Sequence, residues 1–284
     1  MKPAIESSRA IMAAGMHPQQ GRRMMRCRMN ASMSEKTRKD IQTLREWIDR
    51  CPKGRMVFFG GAGVSTESGI PDFRSPTGLY GSPRAKTYEY SPEFMCSRTF
   101  FDGHTAEFYD FYTDRMLYLE AQPNRAHRKL AQLEADGILG AVVTQNIDGL
   151  HQAAGSKKVF ELHGGVLRNF CRKCNRFYDV HQMMAARDAD PEGIPHCECG
   201  DVIKPDVVLY EEPLDESVME GAIRAIASAD LLLIAGTSLA VYPAAGLIDF
   251  FHGSHLAIVN MSPTDRDRSA DICIAASIGD VLDY

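Results

Sequence analysis

The stretch FFGGAGVSTESGIPDFRS, Phe58 to Ser75, drives an apolar run into glycines and then into a rigid, polar tail. A strand that enters glycines and opens a helix is how dinucleotide-binding folds begin, because glycine lets backbone amides come close to a pyrophosphate. Here the fingerprint stays incomplete. Gly61-Ala62-Gly63 is followed by Val64, Ser65 and Thr66, so no third glycine completes GxGxxG. Nor does an acidic residue close a second strand about twenty positions on, where a ribose-binding carboxylate belongs. The segment reads as a phosphate loop whose tail, SGIPDFRS, serves some purpose other than hydride transfer.

Working outward, RMVFFG before the glycines is a short buried strand, and Pro52-Lys53-Gly54 breaks a helix carrying Ile41, Leu44, Trp47 and Ile48, with Ser34 as its N-cap. Further strand-like runs fall at 140–146, 158–164, 206–210, 230–238, 255–261 and 271–277. Several are β-branched and continuously apolar, as strands covered on both faces are. Helical patterns around Ala126–Asp136 and Asp215–Ser228 alternate with them. The fold class that follows is α/β, a Rossmann-like parallel sheet with helices on both faces. Two segments break the alternation: 78–122, rich in aromatics and read as a helical insertion, and 165–205, which holds a cysteine cluster. The domain reading is therefore 34–164 with 206–284 as the nucleotide-binding domain, and 165–205 as an inserted small module.

The 284 residues suffice for a sizeable core, and 44% hydrophobic with 24% charged residues is ordinary for a globular chain. A net charge of −5 argues against direct nucleic-acid binding, and no run of 18 apolar residues suggests a membrane span. Residues 1–33 differ: they carry six Lys/Arg against one acid and seven of the fourteen methionines, leaving the remainder at −10. This leader lacks the apolar core of a secretory signal and is read as disordered, either a transit peptide or a non-native start ahead of Met29 or Met33. A cytoplasmic monomer is the expectation.

Four cysteines carry the strongest local signal. Cys171-x2-Cys174 and Cys197-x1-Cys199 stand 22 residues apart. Two close thiolate pairs joined by a loop suit one structural, tetrahedral Zn2+ with no open position for chemistry. His196 is a reserve ligand. Next, TQNIDGLH (Thr144–His151) ends a strand, delivering Gln145, Asn146 and Asp148 to the crevice where open α/β sheets bind ligands. ELHG places His163 at another strand end, where it suits a general base. GTSLAVYPA (Gly236–Ala244) and IVNMSP, with Asn260, repeat the strand-to-turn pattern that favours phosphate. Singly, each also reads as a helix cap or a packed side chain.

Taken together and in order, GAGVSTESGIPDFR, TQNIDGLH, LHG, the two cysteine pairs, GTSL and VN resemble the sirtuin family of NAD-dependent protein deacylases, from about Ser34 to Tyr284. The resemblance implies that Gly61, Ala62, Gly63, Thr66, Phe73 and Arg74 contact NAD, with Phe73 shielding the reactive ribose carbon. It implies that Ile147 and Asp148 hold the nicotinamide carboxamide, and that Gln145 and Asn146 contact the ribose and an ordered water. Gly236, Thr237, Ser238 and Asn260 resemble the adenosine-side contacts, and Gly279 with Asp280 closes over the adenine. The implied reaction has the acyl-lysine oxygen displace nicotinamide, after which His163 deprotonates a ribose hydroxyl; Asn146 and Asp148 complete the catalytic set. Free lysine and O-acetyl-ADP-ribose result.

Acylated-lysine proteins or peptides are the implied partners, bound as an added strand along Val207, Val208, Leu209 and Tyr210. Two departures from the family pattern stand out. The family's FGE is Tyr210-Glu211-Glu212 here, and the second cysteine pair is CxC. The acidic-acyl signature Tyr-x-x-Arg has no match in register at Tyr109-x-x-Tyr112; the shifted Tyr112-x-x-Arg115 fits the spacing. Deacetylation of lysine is the leading reading, with longer or acidic acyl groups, protein ADP-ribosylation, or an NAD-sensing module as alternatives.

Overall fold

A computed structural model describes residues 33–73, 78 and 88–284 of the chain. Residues 1–32 of the 1–33 leader, and Arg74, lie outside the described residues. The chain's contacts divide it into two units, Met1–Arg45 and Glu46–Tyr284. In the first, helix α1 (Glu35–Arg50) begins, its entry capped by Ser34 Oγ, which accepts from Thr37 N at 3.0 Å.

Six strands make one all-parallel sheet: β1 (Met56–Gly60), β2 (Leu139–Thr144), β3 (Val159–Glu161), β7 (Leu231–Ala235), β8 (His255–Asn260) and β9 (Ile272–Ala275). Their order is β3-β2-β1-β7-β8-β9, so the sequence runs outward in both directions from the β1/β7 seam. That seam is the topological switch point, where the loops leaving neighbouring strands part and open a crevice. Every residue of β1 and of β7 is buried, as their continuous apolar runs require.

Side chains alternate across the sheet. Val57, Phe59, Val143, Leu232, Ile234 and Ile258 share one core with helix α8 (Glu216–Ala227) and the 3₁₀ segment Ala244–Phe250. Their neighbours Phe58, Val142, Leu233 and Val259 are equally buried on the other face, where helix α5 (Arg125–Ala135) packs on β2. Asp215 caps α8 by accepting from Val218 N, and Asn124 caps α5.

A second, antiparallel sheet of order β5-β4-β6 contains β4 (Gly164–Cys171), β5 (Phe177–Asp179) and β6 (Ile203–Val207). The run 206–210 thus differs from the expected parallel strand. Pro205 sits inside β6, whose burial alternates, and regular pairing ends at Val207. Helices α2 (Pro92–Met95), α3 (Arg98–Gly103) and α4 (Thr105–Arg115) come from the aromatic segment, and α7 (Val180–Ala189) follows β5. Phe100, Phe101, Phe108 and Tyr112 form a single core with Val166, Cys171, Met183, Cys197 and Ile203. The aromatic helices and the cysteine module therefore bury their apolar faces against each other. Two short helices, α6 (Leu150–Ala153) and α9 (Ile278–Val281), complete the fold. Among the described residues no helix is long and apolar enough to cross a membrane.

Candidate active site

The β1/β7 seam fixes the first wall of the site. Past Gly60 the chain folds into two 3₁₀ turns, Ala62–Val64 and Thr66–Ser68. Gly63 N donates to Gly236 O at 2.8 Å, and a Cβ on Gly63 would lie 2.7 Å from Gly236 Cα. Gly236 itself has φ +62. Backbone meets backbone here, so neither position admits a side chain.

Behind this loop runs a buried polar chain. Ser65 Oγ donates to Asp148 Oδ2 at 2.6 Å and accepts from Asn146 Nδ2 at 3.0 Å. The other Asp148 oxygen accepts from Leu150 N at 2.9 Å, at the start of α6. Asn124 secures the loop from below: its Nδ2 donates to Val64 O at 2.8 Å and Ser68 Oγ at 3.1 Å, while its Oδ1 accepts from Ala126 N and His127 N. On the β7 side, Gln145 Nε2 donates to Thr237 Oγ1 at 3.1 Å. Asn260 grips Thr237 through both backbone groups, accepting from its N–H at 3.1 Å and donating to its C=O at 2.9 Å.

His163 follows β3, and its Nδ1 lies 3.0 Å from Gln145 O. A carbonyl only accepts, so Nδ1 carries the proton and Nε2 keeps the lone pair. Burial pushes the His163 pKa below its ordinary value, against the opposing pull of that backbone bond. The imidazole is neutral at pH 7 and ready to take a proton at Nε2.

These groups line one cavity of about 620 Å³, within the usual range for small-molecule sites. Gly61, Ala62, Gly63, Thr66 and Phe73 enter from the loop after β1. Gln145, Asn146, Ile147, Asp148 and His163 enter from the β2 and β3 ends. Gly236, Thr237, Ser238 and Asn260 enter from β7 and β8. Val207, Val208, Leu209 and Tyr210 form the far lip. Gly279 and Asp280 do not line the cavity; Ser277 and Ile278 do. Asp280 turns away to an ion pair with Arg125, and Gly279 packs against Glu67.

The helical segment contributes lining that sequence reasoning did not anticipate, namely Cys96, Met116 and Tyr118. Only composition marked that segment, and composition does not say which aromatics face inward. Of the shifted pair, Arg115 reaches the cavity, with Nε donating to Asp114 Oδ2 at 2.6 Å, whereas Tyr112 is fully buried in the second core. Ser65 and Asn124 were also missed as site residues. The signal for Asn124 was the Pro-Asn-x-x-His run, a capping pattern that gave no hint of its reach to Val64.

The far lip uses its own backbone donors internally. Val208 N donates to His163 O, Leu209 N to Glu212 Oε2, and Tyr210 N to Cys96 O, all within 3.0 Å. Three of its carbonyls are taken as well: Val207 O accepts from Lys204 Nζ at 2.9 Å, Leu209 O from Glu212 N at 3.0 Å and Tyr210 O from Arg98 N at 3.0 Å.

The four cysteines converge. Cys171, Cys174, Cys197 and Cys199 place all four Sγ atoms within 4.8 Å of one another, with Cys171–Cys199 at 3.4 Å and Cys174–Cys197 at 3.5 Å. Zinc–sulfur bonds of about 2.3 Å in a tetrahedron set sulfurs a little under 4 Å apart, so the thiol set fits Zn2+ and fills its coordination. His196 stays outside the cluster, its Nδ1 3.2 Å from Asp190 Oδ2.

Comparison with known proteins places the geometry. Residues 61–243 match the model of the Sir2 family. The chain is 52% identical over 229 residues to an NAD-dependent protein deacetylase of Clostridium acetobutylicum, covering 80% of this chain and 91% of that protein. A protein of the same name from Clostridium perfringens is 53% identical over 244 residues, covering 85% and 96%. Among solved structures, a Sir2 with p53 peptide and NAD+ superposes with TM-score 0.74 at 35% identity, covering 85% of this chain and 95% of that one. A Sir2 variant holding deacetylated p53 peptide and 3'-O-acetyl ADP ribose gives TM-score 0.77 at 35% identity and the same coverage.

Proposed function

The chain belongs to the Sir2 family, and from that premise we propose that its cavity carries out NAD-dependent deacetylation of protein lysine side chains, yielding nicotinamide and O-acetyl-ADP-ribose. The observation that carries this reading is the neutral His163 with Nδ1 held by Gln145 O, facing the same cavity as the Ser65–Asp148–Asn146 chain. A binding module has no need of a poised base.

When bound, NAD supplies a nicotinamide–ribose bond that breaks and a ribose carbon that receives the acyl oxygen. The chain's residues then divide the work. Gly61, Ala62, Gly63 and Thr66 offer backbone and hydroxyl groups to phosphate beside Gly236, Thr237 and Ser238, while Asn260 keeps Thr237 in place. Ile147 and Asp148 receive the carboxamide. Asp148 is held by Ser65 and by Leu150 N, so its carboxylate stays aimed. Gln145 and Asn146 face the ribose, and Phe73 covers the reacting centre against water. His163 Nε2 takes the proton from a ribose hydroxyl.

The acyl-lysine enters along Val207–Tyr210, the lip of the cavity. The acyl end meets Cys96, Met116 and Tyr118. With Arg115 bonded to Asp114 and Tyr112 buried elsewhere, the wall suits neutral acyl groups. One structural Zn2+ on the four cysteines holds the second sheet. We assign the enzyme to the cytoplasm, because a closed thiolate site beside free Cys51, Cys96 and Cys273 needs reducing surroundings.

The test is product analysis with NAD and acetyl-, longer-acyl- and succinyl-lysine peptides. Nicotinamide, free lysine peptide and O-acyl-ADP-ribose together, fastest for acetyl, support the reading; ADP-ribose retained on protein refutes it.

A further inference from the structure

Glu211 occupies a conformation that its side chain disfavours. Its φ is +76, in the left-handed region that glycine enters freely and other residues rarely. It closes the lip Val207–Tyr210 and itself lines the cavity. Its carboxylate has an unusual partner: Oε2 accepts from Thr99 N at 2.9 Å and from Thr99 Oγ1 at 2.8 Å. Thr99 stands in the first turn of α3, where a backbone amide has no acceptor of its own within the helix.

The tie to α3 is one of a set. Tyr210 N donates to Cys96 O at 2.9 Å, and Arg98 N donates to Tyr210 O at 3.0 Å. Arg98 Nη1 donates to Glu212 Oε1 at 3.0 Å, and the partly buried Lys204 Nζ donates to Glu212 Oε2 at 3.0 Å. Residues 96–99 and 209–212 thus form one hydrogen-bonded unit with two faces on the cavity: the lip at Tyr210 and the wall at Cys96.

We propose that Glu211 is a positioning residue for the acylated substrate. By gripping Thr99, its carboxylate holds the turn after Tyr210 in left-handed form and fixes the spacing between the peptide lip and the acyl wall. This assignment rests on the reading of the cavity as an acyl-lysine cleft. Glu211 touches no reacting atom, so its effect belongs to peptide binding.

Glu211→Gly removes the grip while suiting the backbone, and Glu211→Gln keeps an oxygen that accepts from Thr99. Steady-state kinetics with an acetyl-lysine peptide and NAD, on full-length zinc-loaded protein, separates the two. Glu211→Gly is expected to raise the peptide KM about fivefold, with the KM for NAD within about twofold and kcat falling less than the peptide KM rises. Glu211→Gln is expected to recover most of the peptide KM. An unchanged peptide KM in Glu211→Gly, or an equal rise for peptide and NAD, overturns the assignment. No turnover by the unaltered chain overturns the deacylase reading, and this assignment with it.

Discussion

Ser65 Oγ lies 2.6 Å from Asp148 Oδ2, joining the loop after β1 to the residues after β2 by a single hydroxyl. Because the same oxygen accepts from Asn146 Nδ2 at 3.0 Å, one serine orients both a carboxylate and an amide at the cavity wall. Ser65 is only 1% exposed, so water cannot take over its role.

Ser65→Ala is therefore expected to cost far more than a methyl-sized change suggests. It strands a buried donor on Asn146 and an acceptor on Asp148, each worth about 1–3 kcal/mol when unsatisfied. A fall in kcat/KM of about tenfold to a hundredfold follows, measured as deacetylation with saturating NAD. Wild-type turnover in this variant would mean that Asp148 is aimed by something else.

The pH–rate profile should report His163. Its pKa is depressed by burial below 6.5, and the reaction needs the neutral ring. The acid limb of the profile is then expected to have its midpoint below pH 6.5. An acid limb centred above it contradicts the assignment of the base.

A different pair of histidines should govern acid stability. His127 and His151 pack edge to face at 4.7 Å, both essentially without exposure, and burial pushes them down to about 4 and about 3. His127 Nδ1 accepts from Asn124 N, and three of the pair's four ring nitrogens have no partner among the described residues. In the unfolded chain these rings take protons near 6.5, while in the folded state they resist. The unfolded state then binds more protons, so stability falls as pH drops from 6.5 toward 4. His151→Phe, which removes one titrating ring and keeps an aromatic, should flatten the Tm-against-pH curve in that window. Unchanged steepness refutes this account.

Most of the sheet was legible because its strands are largely continuous apolar runs, and covered parallel strands have few other ways to be written. Met56–Gly60 and Leu231–Ala235 are the clearest cases. The run at 206–210 was not legible in the same way. Its apolar residues serve the antiparallel sheet only as far as Val207 and then turn to meet the helical insertion, a choice made by contacts distant in sequence. Motif residues at strand ends collected at the cavity because parallel strands deliver their carboxyl ends to one side. Asp280, which the family resemblance implies over the adenine, carries an ion pair with Arg125, far away in the chain, that no local pattern announces. Likewise Tyr112 has the spacing of an acyl-binding residue and the burial of a core residue.

Zinc removal should reach beyond the cysteine module. Cys171 and Cys197 belong to the same core as Phe100, Phe108 and Tyr112. Chelation is expected to abolish amide-exchange protection across 164–207 and also across 95–112, while β1 and β7 stay protected. Loss confined to the residues around the four cysteines would show that the aromatic helices hold without the metal.

We propose His163 as the base in a reaction that ends with the acyl group on ADP-ribose. It is tested most directly by mass spectrometry of products from acetyl-lysine peptide and NAD, comparing the unaltered chain with His163→Ala, alongside calorimetric NAD binding. The account predicts nicotinamide, free peptide and O-acetyl-ADP-ribose from the unaltered chain. It predicts no O-acetyl-ADP-ribose from the variant, with NAD affinity within about threefold. Undiminished O-acetyl-ADP-ribose from His163→Ala would contradict it.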